Sequence, residues 1–424
     1  MKKVTFIFSA VLIALVFASG CVKDTVTQTY TYKLFRPIVQ TTAAVRANIK
    51  SNAAAAILQP GKLYIKDHFI FLNEVDKGVH IIDNSNPADP KNVAFINIPG
   101  NVDIAVKENT LYADLYTDLV AIDISNPRAA KVTKVVGNVF QDRFYGFYYG
   151  GDSDVLITDW VIKDTTVTEE YMARNWRRVN RGGMVFEDFV GGFALSSSAY
   201  AAMPGAAKNM GGSMARFAVV NKRLYAIGQQ QVNVFNVDNS AQPQFVTNVP
   251  VGFGIETLFP FKDKLFIGST NGMFIYSIAN PDNPAQLSLF THVQSCDPVI
   301  TDGNQAYVTL RSGTVCNGIT NQLDVLDVAN VQQPLLIKTY PLTHPQGLSK
   351  DGNLLFICDD GDGLKIYDAT KPEALQLLKT ITGLQTYDVI AFGGRAIVVA
   401  KDGLYQFDYS DIKNIRQLSK LTLN

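Results

Sequence analysis

Seven short runs in this chain share one pattern, a β-rich stretch that ends in a small polar residue and leads into a turn usually carrying Asn or Pro. They read VHIIDNSNP, LVAIDISNP, VNVFNVDNS, MFIYSIANP, LDVLDVANV, LKIYDATKP and LYQFDYSDI. Their polar residues are Asp83, Asp123, Asn236, Ser277, Asp327, Asp368 and Asp408, spaced 40, 113, 41, 50, 41 and 40 apart. The chain is therefore a repeat of about forty residues with two enlarged intervals, and a fold built by repetition is the first requirement on it.

Each repeat resolves into four strands. An inner strand such as Asp103–Val106 leads through a turn (107–109, 302–304, 351–353) to a second strand with an aromatic at Phe71, Tyr112, Tyr225, Phe266, Tyr307 or Phe356. The third strand is the polar-ended run, and the fourth follows the Asn-Pro turn. Alternation and β-branched content run through 61–136 and 215–420 without helical periodicity. Four strands in about forty residues predict an all-β fold, a β-propeller of four-stranded blades. Seven blades are predicted. Strand-like runs at 144–149 and 155–162 are read as half of a degenerate extra blade, which keeps eight as the alternative.

The ends add an address. Lys2 and Lys3 precede an uncharged apolar run from Val4 to Phe17, then Ala18-Ser19-Gly20-Cys21. A run of roughly fourteen residues falls short of the ~20 that a spanning helix needs, so residues 1–20 read as a signal peptide. Ala-Ser-Gly-Cys resembles the lipobox of bacterial lipoproteins, which implies a lipid on Cys21. Val22-Lys23-Asp24 looks like the signal some Gram-negative lineages use for outer-face lipoproteins, implying an outer-membrane lipoprotein facing the exterior. Residues 21–60, rich in Thr, Ala and Asn, read as the anchor and tether. The propeller is then 61–424, interrupted by an insertion at about 137–214.

Lys plus Arg and Asp plus Glu are equal at 38 each, so no long-range field favours nucleic acid or an anionic membrane surface. In an oxidising compartment the remaining cysteines, Cys296, Cys316 and Cys358, give one pair and one free thiol. Blade topology brings residues just before Asp297 and just after Arg311 to one side, so Cys296 and Cys316 are expected to form a disulfide, closing a loop worth ~3 kcal/mol. Cys358, in the strand LLFIC, is expected to be buried and inert.

At Leu119–Pro127 and Gly363–Pro372 the repeats resemble the GLxVIDxSxP run of the LVIVD-repeat family of bacterial surface proteins. The resemblance covers 61–136 and 215–408 and implies a propeller on the cell surface; it implies no particular activity.

Nucleophile-elbow, P-loop and dinucleotide fingerprints need a strand-to-helix context that this chain hardly offers. Asp359, Asp360 and Asp362, interleaved with glycines, can wrap calcium, and a solvated hairpin turn explains them equally. Counting back from the second strands gives one polar residue at the start of each inner strand: Lys62, Asp103, Arg216, Glu256, Asp297, Gln346 and Asp388. If the inner strands line the axis, these form a ring at one channel mouth. The ring either binds a ligand or is a set of charges neutralising one another.

Two functions follow. One is a surface-exposed binding or adhesion module for a glycan, peptide or protein; the other is a carbohydrate-active hydrolase or lyase using the ring carboxylates. Inner strands begin on the face where blades connect, so that face is expected to carry the function. There Asp103, Arg216, Glu256, Asp297 and Asp388 are expected to border a polar depression partly roofed by the insertion, with the Asn-Pro turns opposite.

Overall fold

The computed structural model describes residues 25–140, 155–172, 185–186, 214–292, 298–313, 318 and 320–423. The chain divides into two compact units, one of 1–39 and 157–197 and one of 40–156 and 198–424.

The larger unit is a propeller of seven four-stranded blades. The inner strands are Pro60–Lys66, Ile104–Lys107, Phe217–Val220, Ile255–Phe261, Val299–Asp302, Leu348–Asp351 and Thr386–Phe392. Every blade is a consecutive antiparallel meander from the axis outwards. Blade 1 gains a fifth, outermost strand, Lys50–Asn52, which pairs antiparallel with Lys91–Asn97. The second-strand aromatics Phe71, Tyr112, Tyr225, Phe266, Tyr307 and Phe356 are all buried. Two of their hydroxyls lock neighbouring blades, Tyr112 donating to the Ser240 carbonyl at 2.8 Å and Tyr225 to that of Pro281 at 2.9 Å.

The repeat signature has a local cause. The residue ending each third strand accepts the N–H two positions on: Asp83 from Ser85 at 3.0 Å, Asp123 from Ser125 at 2.8 Å, Asp327 from Ala329 at 2.8 Å. Asn236 and Ser277 do the same for Asp238 and Ala279, so any short side chain with an oxygen acceptor fulfils the role. At Asp408 the Ser410 hydroxyl and N–H, with Arg416, draw the carboxyl down to about 2. The folded state thus holds this proton more weakly than an unfolded Asp near 3.9. Its stabilisation is complete above that value and is lost as pH falls towards about 2. Asp408→Asn keeps the acceptor without the titration, and is expected to flatten the loss of urea resistance between about pH 4 and 2. An acid limb unchanged from wild type would show that other carboxyls set it.

Two expectations change. Among the described residues there is no eighth blade: Val155–Met172 is one long strand whose neighbour is Thr25–Thr41. For the same reason 25–41, expected to be tether, is a regular strand. It is followed by the short helix Thr42–Ala47, capped by Thr41. In the smaller unit, Thr29 meets Thr168 at 2.9 Å, Thr31 meets Thr166 at 3.0 Å and Lys33 pairs with Asp164 at 3.3 Å. Along this strand Thr29, Thr31 and Lys33 are exposed and Tyr32 is half-buried. The run 144–149 and most of the insertion lie outside the described residues.

Candidate functional site

Strand pairing fixes which ends of a blade lie together. In blade 1, Pro60 pairs with Glu74, Glu74 with Gly78 and Gly78 with Asn97, whereas Asp83 pairs with Lys91 at the other end, beside the Asn-Pro turn. Inner-strand starts, second-to-third-strand loops and interblade connections therefore share one end. The chain also leaves blade 2 after Val136 and rejoins blade 3 at Phe217 on that end.

Of the ring residues, Lys62, Glu256 and Asp388 lie within inner strands, and Asp103, Arg216 and Gln346 just precede them. Asp297, together with Cys21, Cys296 and Cys316, lies outside the described residues. Six side chains from six blades thus start at one mouth, and the electrostatics show that five of them converge. Lys62, only 4% exposed, donates to the Met214 carbonyl. Burial draws its ammonium down to about 8, with Asp103, Asp388 and Glu256 opposing and Arg216 assisting. Burial pushes the Glu256 carboxyl up against the pull of Arg216, Arg311 and Lys62.

Burial then sorts the ring by role. Both oxygens of Asp103 are occupied by backbone amides, Ile104 at 2.7 Å on one, and Arg216 together with Phe217 at 3.0 Å on the other. Asp103 is a bracket between blades 2 and 3. Asp388 is 0% exposed and among the described residues neither oxygen finds a hydrogen-bond partner of ordinary geometry, and burial pushes its carboxyl far above the usual range. It lies over Gly347, where a Cβ would come within 1.8 Å of its Oδ1. Arg216 and Glu256 are half-buried and reach solvent.

Arg311 belongs to this site although it starts no inner strand. It follows the second strand of blade 5, Gln305–Leu310, donates to the Gln346 side-chain oxygen, and burial lowers its guanidinium against the pull of Glu256 and Asp360. His344 joins from the same side. One ring nitrogen lies 3.2 Å from the Ser312 carbonyl, the other 3.0 Å from Asp360 and 3.3 Å from the Gln346 amide. The Ser312 carbonyl can only accept, so Nε2 is the donor there, while Nδ1 faces both Asp360 and the Gln346 amide. The signal for Arg311 was a polar residue at the end of a second strand, and for His344 a polar residue on the connection between blades 5 and 6, both of which a count of inner strands passes over.

The Asp359–Gly363 turn carries its own counter-charge. Asp359 accepts from the His344 N–H at 2.7 Å and from the Lys365 ammonium, and Asp362 from Lys365 at 3.1 Å. Among the described residues no group of three or more His, Cys, Asp or Glu is placed to hold a metal ion. Cys358 is a free thiol and buried, and burial raises it well above the usual range.

Comparison with known proteins bears on the fold. The LVIVD-repeat family model matches residues 100–131, the core of blade 2. No curated protein matches the chain. A protein from Lactobacillus plantarum is similar in structure at 15% identity, covering 78% of this chain and 87% of that one, with a TM-score of 0.51. The computationally designed Ika8 protein is similar at 10% identity over 88% of each chain, TM-score 0.50. BamB from Moraxella catarrhalis gives 9% identity over 91% of each chain, TM-score 0.46. At such identities the likeness concerns fold alone. Strand topology, blade number and repeat signature agree: the chain is a seven-bladed β-propeller whose second blade carries an LVIVD repeat.

Proposed function

We propose that this protein is a surface-exposed lipoprotein, anchored through Cys21 in the outer membrane, and that its propeller is a binding module for an extracellular glycan, peptide or protein. The observation that carries the binding role is the layered channel mouth. Arg216, Glu256 and Arg311 reach solvent from three blades, while Lys62 and Asp388 stand buried with them. Polar groups of both signs, fixed by a rigid scaffold and convergent on one spot, suit recognition by several simultaneous hydrogen bonds. The address rests on Ala18-Ser19-Gly20-Cys21 and the Val22-Lys23-Asp24 that follows.

The test has two arms. Cys21→Ala is expected to move the full chain from the membrane to the soluble fraction, and its retention in membranes would end the anchor assignment. Purified protein is applied to arrays of glycans, peptides and envelope proteins. Glu256→Gln and Arg311→Ala are each expected to weaken whatever binds wild type about tenfold, the worth of one charged contact of ~1.4 kcal/mol. Undiminished binding by both variants places the binding surface elsewhere.

A further inference from the structure

The connection between blades 3 and 4, residues 251–254, opens at the same mouth and carries Phe253, which is 71% exposed. This exposure is built in. The Val251 and Gly252 N–H groups both donate to the Gln230 carbonyl at 2.9 and 3.2 Å, Gly254 donates to Gln229 at 3.1 Å, and Thr270 donates back to the Gly254 carbonyl at 3.0 Å. Gly254 holds φ +73, and a Cβ there would come within 2.5 Å of the Thr270 hydroxyl. A segment tied down on both sides of an aromatic, through a conformation only glycine takes readily, presents that ring to solvent in a fixed place. Glu256 follows two residues after Gly254, and its carboxylate feels the charges of Arg216 from blade 3 and Arg311 from blade 5.

We infer that Phe253, Glu256, Arg216 and Arg311 form a subsite for a neutral saccharide, with Phe253 the platform on which one face of a sugar ring stacks. The inference rests on the binding role proposed above and adds the ligand class to it. A pyranose has an apolar C–H face and a rim of hydroxyls that both donate and accept. An exposed aromatic face meets the first, and a carboxylate between two guanidinium groups meets the second. Among the described residues the mouth sets Lys62, Arg216 and Arg311 beside Asp103 and Glu256, so groups of both signs line it, which suits hydroxyls that both donate and accept.

The full chain, purified in detergent, is titrated calorimetrically with mannohexaose, maltohexaose, cellohexaose and laminarihexaose and applied to an array of neutral glycans. Wild type is expected to bind at least one of these. Phe253→Ala is expected to weaken that binding at least tenfold with an unchanged melting temperature, and Phe253→Trp to retain it. Equal binding by wild type and Phe253→Ala overturns the platform. A wild type that binds no neutral glycan but binds a peptide or protein in a manner sensitive to Arg311→Ala overturns the ligand class and leaves the binding role standing. If Glu256→Gln and Arg311→Ala leave every binding event unchanged, both inferences fall.

Discussion

Replacing Asp103 by Leu is expected to lower stability by about 3–5 kcal/mol, because three backbone N–H groups lose the acceptor that Asp103 supplies. Ile104 donates to one Asp103 oxygen, and Arg216 and Phe217 to the other, so the side chain joins the inner strands of two neighbouring blades. Each orphaned buried donor costs ~1–3 kcal/mol, and Leu can supply no acceptor. Asp103 is also the largest counter-charge on Lys62, so its loss is expected to draw that ammonium below its present value of about 8. Asp103→Asn keeps one oxygen and is expected to lie between Leu and wild type. Glu256→Gln, which keeps an amide oxygen of the same shape on a half-buried side chain, is expected to change stability by less than about 1 kcal/mol. Urea unfolding of the three variants makes the comparison. An Asp103→Leu midpoint within about 1 kcal/mol of wild type would show that water reaches those amides and that the bracket is not structural.

The contrast between Asp103 and Glu256 marks where sequence reading succeeds and stops. Both were legible as ring residues, because each stands once per repeat before an apolar inner strand and period alone locates it. Their roles were not legible, since Asp103 is consumed by amides 113 and 114 positions away. The repeat signature was easier because its cause is local: Asp123 bonds an N–H two residues on, and Asn236 and Ser277 satisfy the same turn. Thr25–Thr41 and Val155–Met172 misled for the opposite reason. Each alternates as a strand should, but neither has its partner within a repeat, so composition suggested a tether and periodicity half a blade. Arg311 and Phe253 were passed over because they sit on connections, where no period recurs to draw attention to them.

How the ring is closed leads to the other large effect. All four strands of blade 7 come from the C-terminal end of the chain, ending in Arg416–Thr422, and those of blade 1 run from Pro60 to Asn97. No strand is shared, so the last blade is joined to the first by side chains. Leu63, Ile65 and Leu72 of blade 1 pack with Ile390, Ile397 and Val399 of blade 7. Below them Asn84 and Gln406, both buried, exchange amide hydrogen bonds at 3.2 and 2.7 Å, and the Ser419 hydroxyl donates to the Pro87 carbonyl at 2.7 Å. Ile397→Ala is expected to cost about 3 kcal/mol, within the 2–5 typical of a buried aliphatic cut back to alanine, because sheets paired on both sides cannot collapse into the cavity. The amide pair makes a sharper statement about the seam. Asn84→Leu alone strands the Gln406 amide, Gln406→Leu alone strands Asn84, and each is expected to cost about 2 kcal/mol. The double variant leaves neither group orphaned, so its loss is expected to fall short of the sum by at least ~1 kcal/mol. Urea unfolding of the two single variants and the double variant measures that coupling. Strict additivity would mean that the two amides are solvated independently and that apolar packing alone closes the propeller.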